Sequence, residues 1–120
     1  MVFVVVDNNQ SDLDETSDII INGFDDSEIQ AFLDPMLAVK YICNNDIDFV
    51  ISNVGIRHIS ETVFINIIRR QKPEIPIFMI SDNKMNCSMM NNFDADEFFT
   101  KPLSASELRT AIDNYRDSIY

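Results

Sequence analysis

Glycine is nearly missing from this chain: Gly23 and Gly55 are the only two among 120 residues. A Gly-rich loop whose backbone amides close around a phosphate, as in nucleotide-binding motifs, has nowhere to form. Tryptophan is absent and histidine occurs once, as His58. Cys43 and Cys87 show no Cys-x-x-Cys spacing and stand far from that histidine. The familiar zinc and dithiol patterns are therefore excluded, and both thiols are expected reduced and mostly buried. No metal and no cofactor is expected, and His58, in a predicted loop, is read as a solvated side chain.

Positive charge is also scarce. Nine Lys and Arg face twenty Asp and Glu, for a net charge of -11. The first basic residue is Lys40, preceded by Asp7, Asp12, Asp14, Glu15, Asp18, Asp25, Asp26, Glu28 and Asp34. Such a field repels phosphate backbones and anionic lipid, so direct binding of nucleic acid or membrane is not expected. A basic protein partner would fit, although an acidic surface serves solubility as well. No apolar run approaches the roughly 20 residues that span a bilayer. Val2-Phe3-Val4-Val5-Val6 has no basic segment before it and meets Asp7 at once, so it reads as a buried strand and the expected location is cytoplasmic.

What the chain does contain is regular alternation. Five segments rich in Val, Ile and Phe, at Val2–Val6, Glu28–Phe32, Asp48–Ser52, Ile75–Ile80 and Glu97–Thr100, are separated by helix-like stretches. Near-continuous apolar strands indicate burial on both faces, and strand-helix alternation implies right-handed crossovers. The expected class is α/β, a doubly wound parallel sheet with helices on both faces, in a single domain spanning 1–120. The clearest helix is the last, with a Ser104–Glu107 capping box and Leu108, Ala111, Ile112, Tyr115 and Ile119 on one stripe. Asp34-Pro35 caps a helix carrying Met36, Leu37, Val39, Tyr41 and Ile42. Ser60 caps another with Val63, Phe64, Ile67 and Ile68, closed by Arg69, Arg70 and Lys72. Ser11 to Asn22 presents a thin stripe of Leu13, Thr16, Ile20 and Ile21, with Gly23 as its stop. Lys84 to Asn92 is short and carries Met85, Met89 and Met90.

In an open parallel sheet the reactive pocket lies at the carboxyl ends of the strands, where their order reverses. Asp7-Asn8, Asn53, Ser81-Asp82 and Lys101 are expected to converge there. The strands Asp48-Phe49-Val50-Ile51-Ser52-Asn53-Val54, Pro76-Ile77-Phe78-Met79-Ile80-Ser81 and Ala95-Asp96-Glu97-Phe98-Phe99-Thr100-Lys101-Pro102 resemble the last three strands of a response-regulator receiver domain, the aspartate-phosphorylated module of two-component signalling. The resemblance implies a flavodoxin-like sheet order 2-1-3-4-5. It also implies an acidic pair and an acceptor aspartate that hold magnesium, a hydroxyl residue and a lysine that bind phosphate oxygens, and a cis-proline at Pro102.

Against that pattern Asp7 is kept, Asn8 replaces the second acid, Asn53 replaces the acceptor, and Asp82 stands where a small residue is usual. Ser81 and Lys101 remain. An amide does not form an acyl phosphate, and one carboxylate in place of three leaves little magnesium affinity. Lys101 is expected to donate to Asp7 and Asn53, with Asp82 as a further partner. Ser81 and Phe98 occupy the switch positions, and Phe98, lacking a hydroxyl, should favour burial.

The expected function is a non-phosphorylatable receiver acting as a phosphorylation-independent signalling or protein-interaction module, with no catalytic residue and no enzymatic activity. The alternatives are a divergent receiver phosphorylated on another carboxylate such as Asp7, or a flavodoxin-like ligand-binding domain. The partner implied is a protein: a kinase, an output domain, a regulator or a second copy. The resemblance places the interaction face on Lys84 to Phe93, the last strand and the final helix, with Met89, Phe93, Phe99, Leu108, Arg109 and Ile112.

Overall fold

The computed structural model describes residues 1–56, 58–82 and 93–119, with side chains through Tyr115. Five parallel strands, β1 (Val2–Val6), β2 (Glu28–Phe32), β3 (Phe49–Asn53), β4 (Ile77–Ser81) and β5 (Glu97–Thr100), form one sheet in the order β2-β1-β3-β4-β5. The described helices are α1 (Gln10–Gly23), α2 (Pro35–Asn44), α3 (Glu61–Gln71) and α4 (Ala105–Ile119). This is the doubly wound sheet expected from the alternation. The expected helix from Lys84 to Asn92, with Cys87 and Met89, lies outside the described residues.

Alternation along the buried strands divides the core in two. Val4, Val6, Val50, Ile77 and Met79 point to the side covered by α2 and α3. Phe3, Val5, Phe49, Ile51, Phe78 and Ile80 point to the side covered by α1 and α4. Successive strand residues face opposite sides, so a strand buried on both is apolar along its length, as β1 is and as β3 and β4 are up to their polar carboxyl ends. The α1/α4 side carries a row of rings. Phe24, Phe3, Phe49, Phe78 and Phe99 follow one another with centroids 5.8, 5.2, 5.8 and 5.8 Å apart.

Helix starts follow the caps in the sequence. Asp34 accepts from Met36 N at 2.8 Å, Ser60 from Val63 N at 3.2 Å, and Ser104 from Glu107 N at 3.3 Å. The first helix begins at Gln10, ahead of the expected Ser11, because Asn9 is its cap; the Asn9 Oδ1 accepts from Asp12 N at 3.0 Å. Gly23 does not stop α1 by a left-handed turn, since it is the helix's last residue and Gly55 is the described glycine with positive φ. Its missing side chain serves close approach: a Cβ there would lie 3.1 Å from that of Ala105, the first residue of α4.

Strand and stripe boundaries also move. β4 starts at Ile77 because Pro76 has no N–H to give and Ile75 N turns back to Lys72 O at 3.2 Å. Asn53 and Ser81 belong to their strands, paired with Ile80 and Thr100. On α3, Ile65 is buried and Val63 is exposed, and on α1, Ile21 is exposed. A stripe read from two apolar neighbours in sequence cannot tell which of them turns outward.

Candidate functional site

The ladder brings four strand ends to one edge. Val6 pairs with Ser52, Asn53 with Ile80, and Ser81 with Thr100, so Asp7, Asn53, Ser81 and Lys101 end adjacent strands. Backbone bonds continue past the strands and fix these residues: Asp7 N to Phe32 O at 3.2 Å, Val54 N to Ile80 O at 2.8 Å, and Lys101 N to Ser81 O at 2.7 Å. The Lys101–Pro102 peptide is cis.

Asp7 is 2% exposed and both its oxygens are engaged. Oδ1 accepts from Asn9 N at 3.0 Å and Oδ2 from Lys101 Nζ at 2.8 Å. Lys101 donates a second bond to Asp12 Oδ2 at 3.1 Å and lies 3.7 Å from Asp82 Oδ1. Burial works to lower the Lys101 pKa. The hydrogen bonds that Lys101 donates to Asp7 and Asp12, with their charges, outweigh it, and the ammonium titrates above its ordinary 10.5. Three carboxylates thus surround one ammonium, and two of them hydrogen-bond it directly.

The amides form a separate pair. Asn53 Nδ2 donates to Asn8 Oδ1 at 3.3 Å, while the buried Oδ1 of Asn53 has no partner among the described residues. Lys101 therefore bonds Asp12 where Asn53 was expected. Asp12 was the missed member of the site. Its signal was the Asn-Asn pair before it: capping by Asn9 places residue 12 in the first turn, over the strand ends.

Magnesium requires hard oxygen ligands, mostly carboxylates, around an octahedron. Here Asp7 already gives both oxygens to Asn9 N and Lys101, Asp12 is bonded to the same ammonium, and Asn8 and Asn53 offer only neutral amides. The donor set does not fit the ion. Among the described residues no group of three or more His, Cys, Asp or Glu is arranged around a possible metal position.

The loop after β3 is held from α3. Glu61 Oε1 accepts from Gly55 N and from Ile56 N, the latter at 3.2 Å. Gly55 has φ 94° and His58 φ 73°. His58 is exposed and lies beyond this clasp. Ser81 is buried at the end of β4. Phe98 is half-buried, its ring 6.5 Å from that of Phe93.

The expected interaction face needs correction. Phe99, Leu108 and Ile112 are 8%, 0% and 1% exposed and belong to the core beneath α4, so they support that face without presenting it. Arg109 is exposed but engaged. Its guanidinium donates to Gly23 O and lies 4.7 Å over the Phe24 ring. Phe93 is half-buried, and Met89 lies outside the described residues.

The fold and the strand-end pocket define a doubly wound domain with an aspartate-lysine pair at its topological switch point. The chain belongs to the response regulator receiver domain family, which it matches over residues 3–113. Its fold is shared with a receiver domain from Clostridium thermocellum, at 19% identity, TM-score 0.80, and coverage of 98% of this chain and 97% of that one. It is also similar to the response regulator TrrA of Thermotoga maritima, solved with magnesium and a beryllium fluoride, at 20% identity, TM-score 0.80, and coverage of 95% and 97%. The N-terminal domain of a response regulator/sensory box/GGDEF protein from Carboxydothermus hydrogenoformans aligns over 100% of both chains, at 12% identity and TM-score 0.81. No curated protein matches. No described helix is long and apolar enough to cross a membrane.

Proposed function

We propose that this receiver domain signals without phosphorylation, as a protein-interaction module whose pocket is held in one state by Lys101. The observation that carries the reading is Asn53 at the end of β3, buried and hydrogen-bonded to Asn8. Aspartyl phosphate formation needs a carboxylate nucleophile in line with the donor and a cation to offset charge. Asn53 supplies no such nucleophile. Asp7 is a poor substitute, buried with both oxygens committed. Asp82 adds a carboxylate at the mouth of the pocket, where an incoming phosphoryl group would meet like charge.

Lys101, which the family uses on phosphate, has here become the internal counter-ion of Asp7 and Asp12. A ligand shifts a conformational equilibrium only through different affinities for its states, so switching must come from a bound protein. The groove between β5 and α4, about 470 Å³ and lined by Glu97, Phe98, Phe99, Ser106, Glu107 and Thr110, is the proposed contact for that partner.

Incubation with acetyl phosphate and magnesium, read by intact mass, tests the proposal. No gain of a phosphoryl group is expected for the native chain. Asn53→Asp alone should remain inert as well, because Asn8 and Asp82 are unchanged. A base-labile phosphoryl adduct on the native chain would refute the reading in favour of another carboxylate.

A further inference from the structure

One stretch of this acidic chain carries no acid. From Pro35 to Asn44 there is no carboxylate, in a chain of net charge -11. The same segment, with the residue before its cap, exposes Leu33 at 46%, Met36 at 47% and Leu37 at 56%. Leu37 and Tyr41, four apart on α2, lie along one stripe, and Leu33 stands just before the cap of that helix. Beside the stripe runs an open groove of about 470 Å³ lined by Phe32, Leu37, Lys40, Tyr41, Asn44 and Asn45. The Phe32 and Tyr41 rings stand 5.7 Å apart. The charged groups here are the cap residue Asp34 and Lys40, three positions to either side of Leu37. Both are exposed, and Lys40 has no ion-pair partner among the described residues.

We propose that this face is a two-fold interface with a second copy of the chain, α2 lying antiparallel on α2 about Leu37. An isologous contact must be self-complementary, and this pattern is. Antiparallel pairing about Leu37 sets leucine against leucine and Leu33 against Tyr41 of the second copy. It also sets Lys40 level with Asp34 of the second copy, twice over by symmetry. Charge selects the occupant. A basic partner is drawn to the acidic α1, and an acidic partner is repelled by most of the surface. Two copies avoid mutual repulsion best where neither carries a carboxylate except one matched to a lysine. The patch is small, so the dimer is weak. The proposal holds whether or not Asn53 accepts phosphate.

Sedimentation equilibrium on the native chain, from about 10 μM to about 1 mM, gives the test. A reversible monomer–dimer equilibrium is expected. Leu37→Asp, at an exposed position, should keep its fold by circular dichroism and remain monomeric throughout. Lys40→Glu should weaken the dimer by about tenfold or more, since both symmetric pairs become repulsive. Adding Asp34→Asn, which keeps the N-cap, should recover part of that loss. A native chain monomeric at the highest concentration would overturn the proposal. So would a dimer unaffected by Leu37→Asp, or one as tight in Lys40→Glu as in the native chain.

Discussion

The Lys101 ammonium is the residue on which the pocket depends. With Asp7 buried and Lys101 only 11% exposed, deleting the cation would leave a carboxylate unpaired in low dielectric. Lys101→Met should cost about 3 kcal/mol, read by chemical denaturation. The pH dependence has a definite sign. The folded protein holds the Lys101 proton more tightly than the unfolded chain, so this stability is complete below about 10.5 and is lost as pH rises through the higher folded value. Tyr115, raised chiefly by burial with Asp96 and Glu74 adding to it, acts in the same direction. Thermal melts should therefore be insensitive to pH near neutrality and fall in the alkaline range, with a smaller fall in Lys101→Met. Most of this site was legible as residue types at strand ends. Asp12 was not, because its place depends on which of several polar residues caps α1.

Contacts between elements explain where sequence patterns misled. Leu108 and Ile112 read equally as a binding stripe or as the core face of a helix, and packing against the sheet made them core. Arg109 looked like free surface charge, yet it bonds the last carbonyl of α1 and covers Phe24. A cation at a helix C-terminus and over a ring is favourable on both counts. Arg109→Glu should thus lower stability by about 1–2 kcal/mol, a shift visible in the denaturant midpoint. Loss of partner binding in that variant would be ambiguous, and Thr110→Lys on the same groove is the cleaner probe. An unchanged midpoint in Arg109→Glu would mean that the α1–α4 contact contributes nothing in solution.

At the scale of the molecule, β1, β3 and β4 were legible as apolar runs because they are buried on both faces, while β2 and β5, partly exposed at the sheet edges, left a weaker signal that the strand-helix alternation supplied. The order of the strands came from resemblance, since nothing local in β2 says that it lies beside β1 at the edge. The asymmetry of the two core faces was not legible either. It emerges only when the register brings Phe3, Phe49, Phe78 and Phe99 into line.

That row of rings sets how the sheet comes apart. Four of the strands each contribute one phenylalanine to it, so β5 cannot peel from β4 without pulling Phe99 off Phe78. The other edge has no such fastening, since β2 contributes no ring and its Phe32 turns to Tyr41 on the opposite side. The two margins of the sheet should therefore fray unequally. In native-state hydrogen exchange, the Glu28–Phe32 amides should open at lower free energy than those of Glu97–Thr100, although both strands are terminal in the sheet. Equal protection would show that the rings do not bind the strands to one another. Unequal protection would make the β2 margin the yielding side of the domain, the part whose order a neighbouring chain could most readily alter.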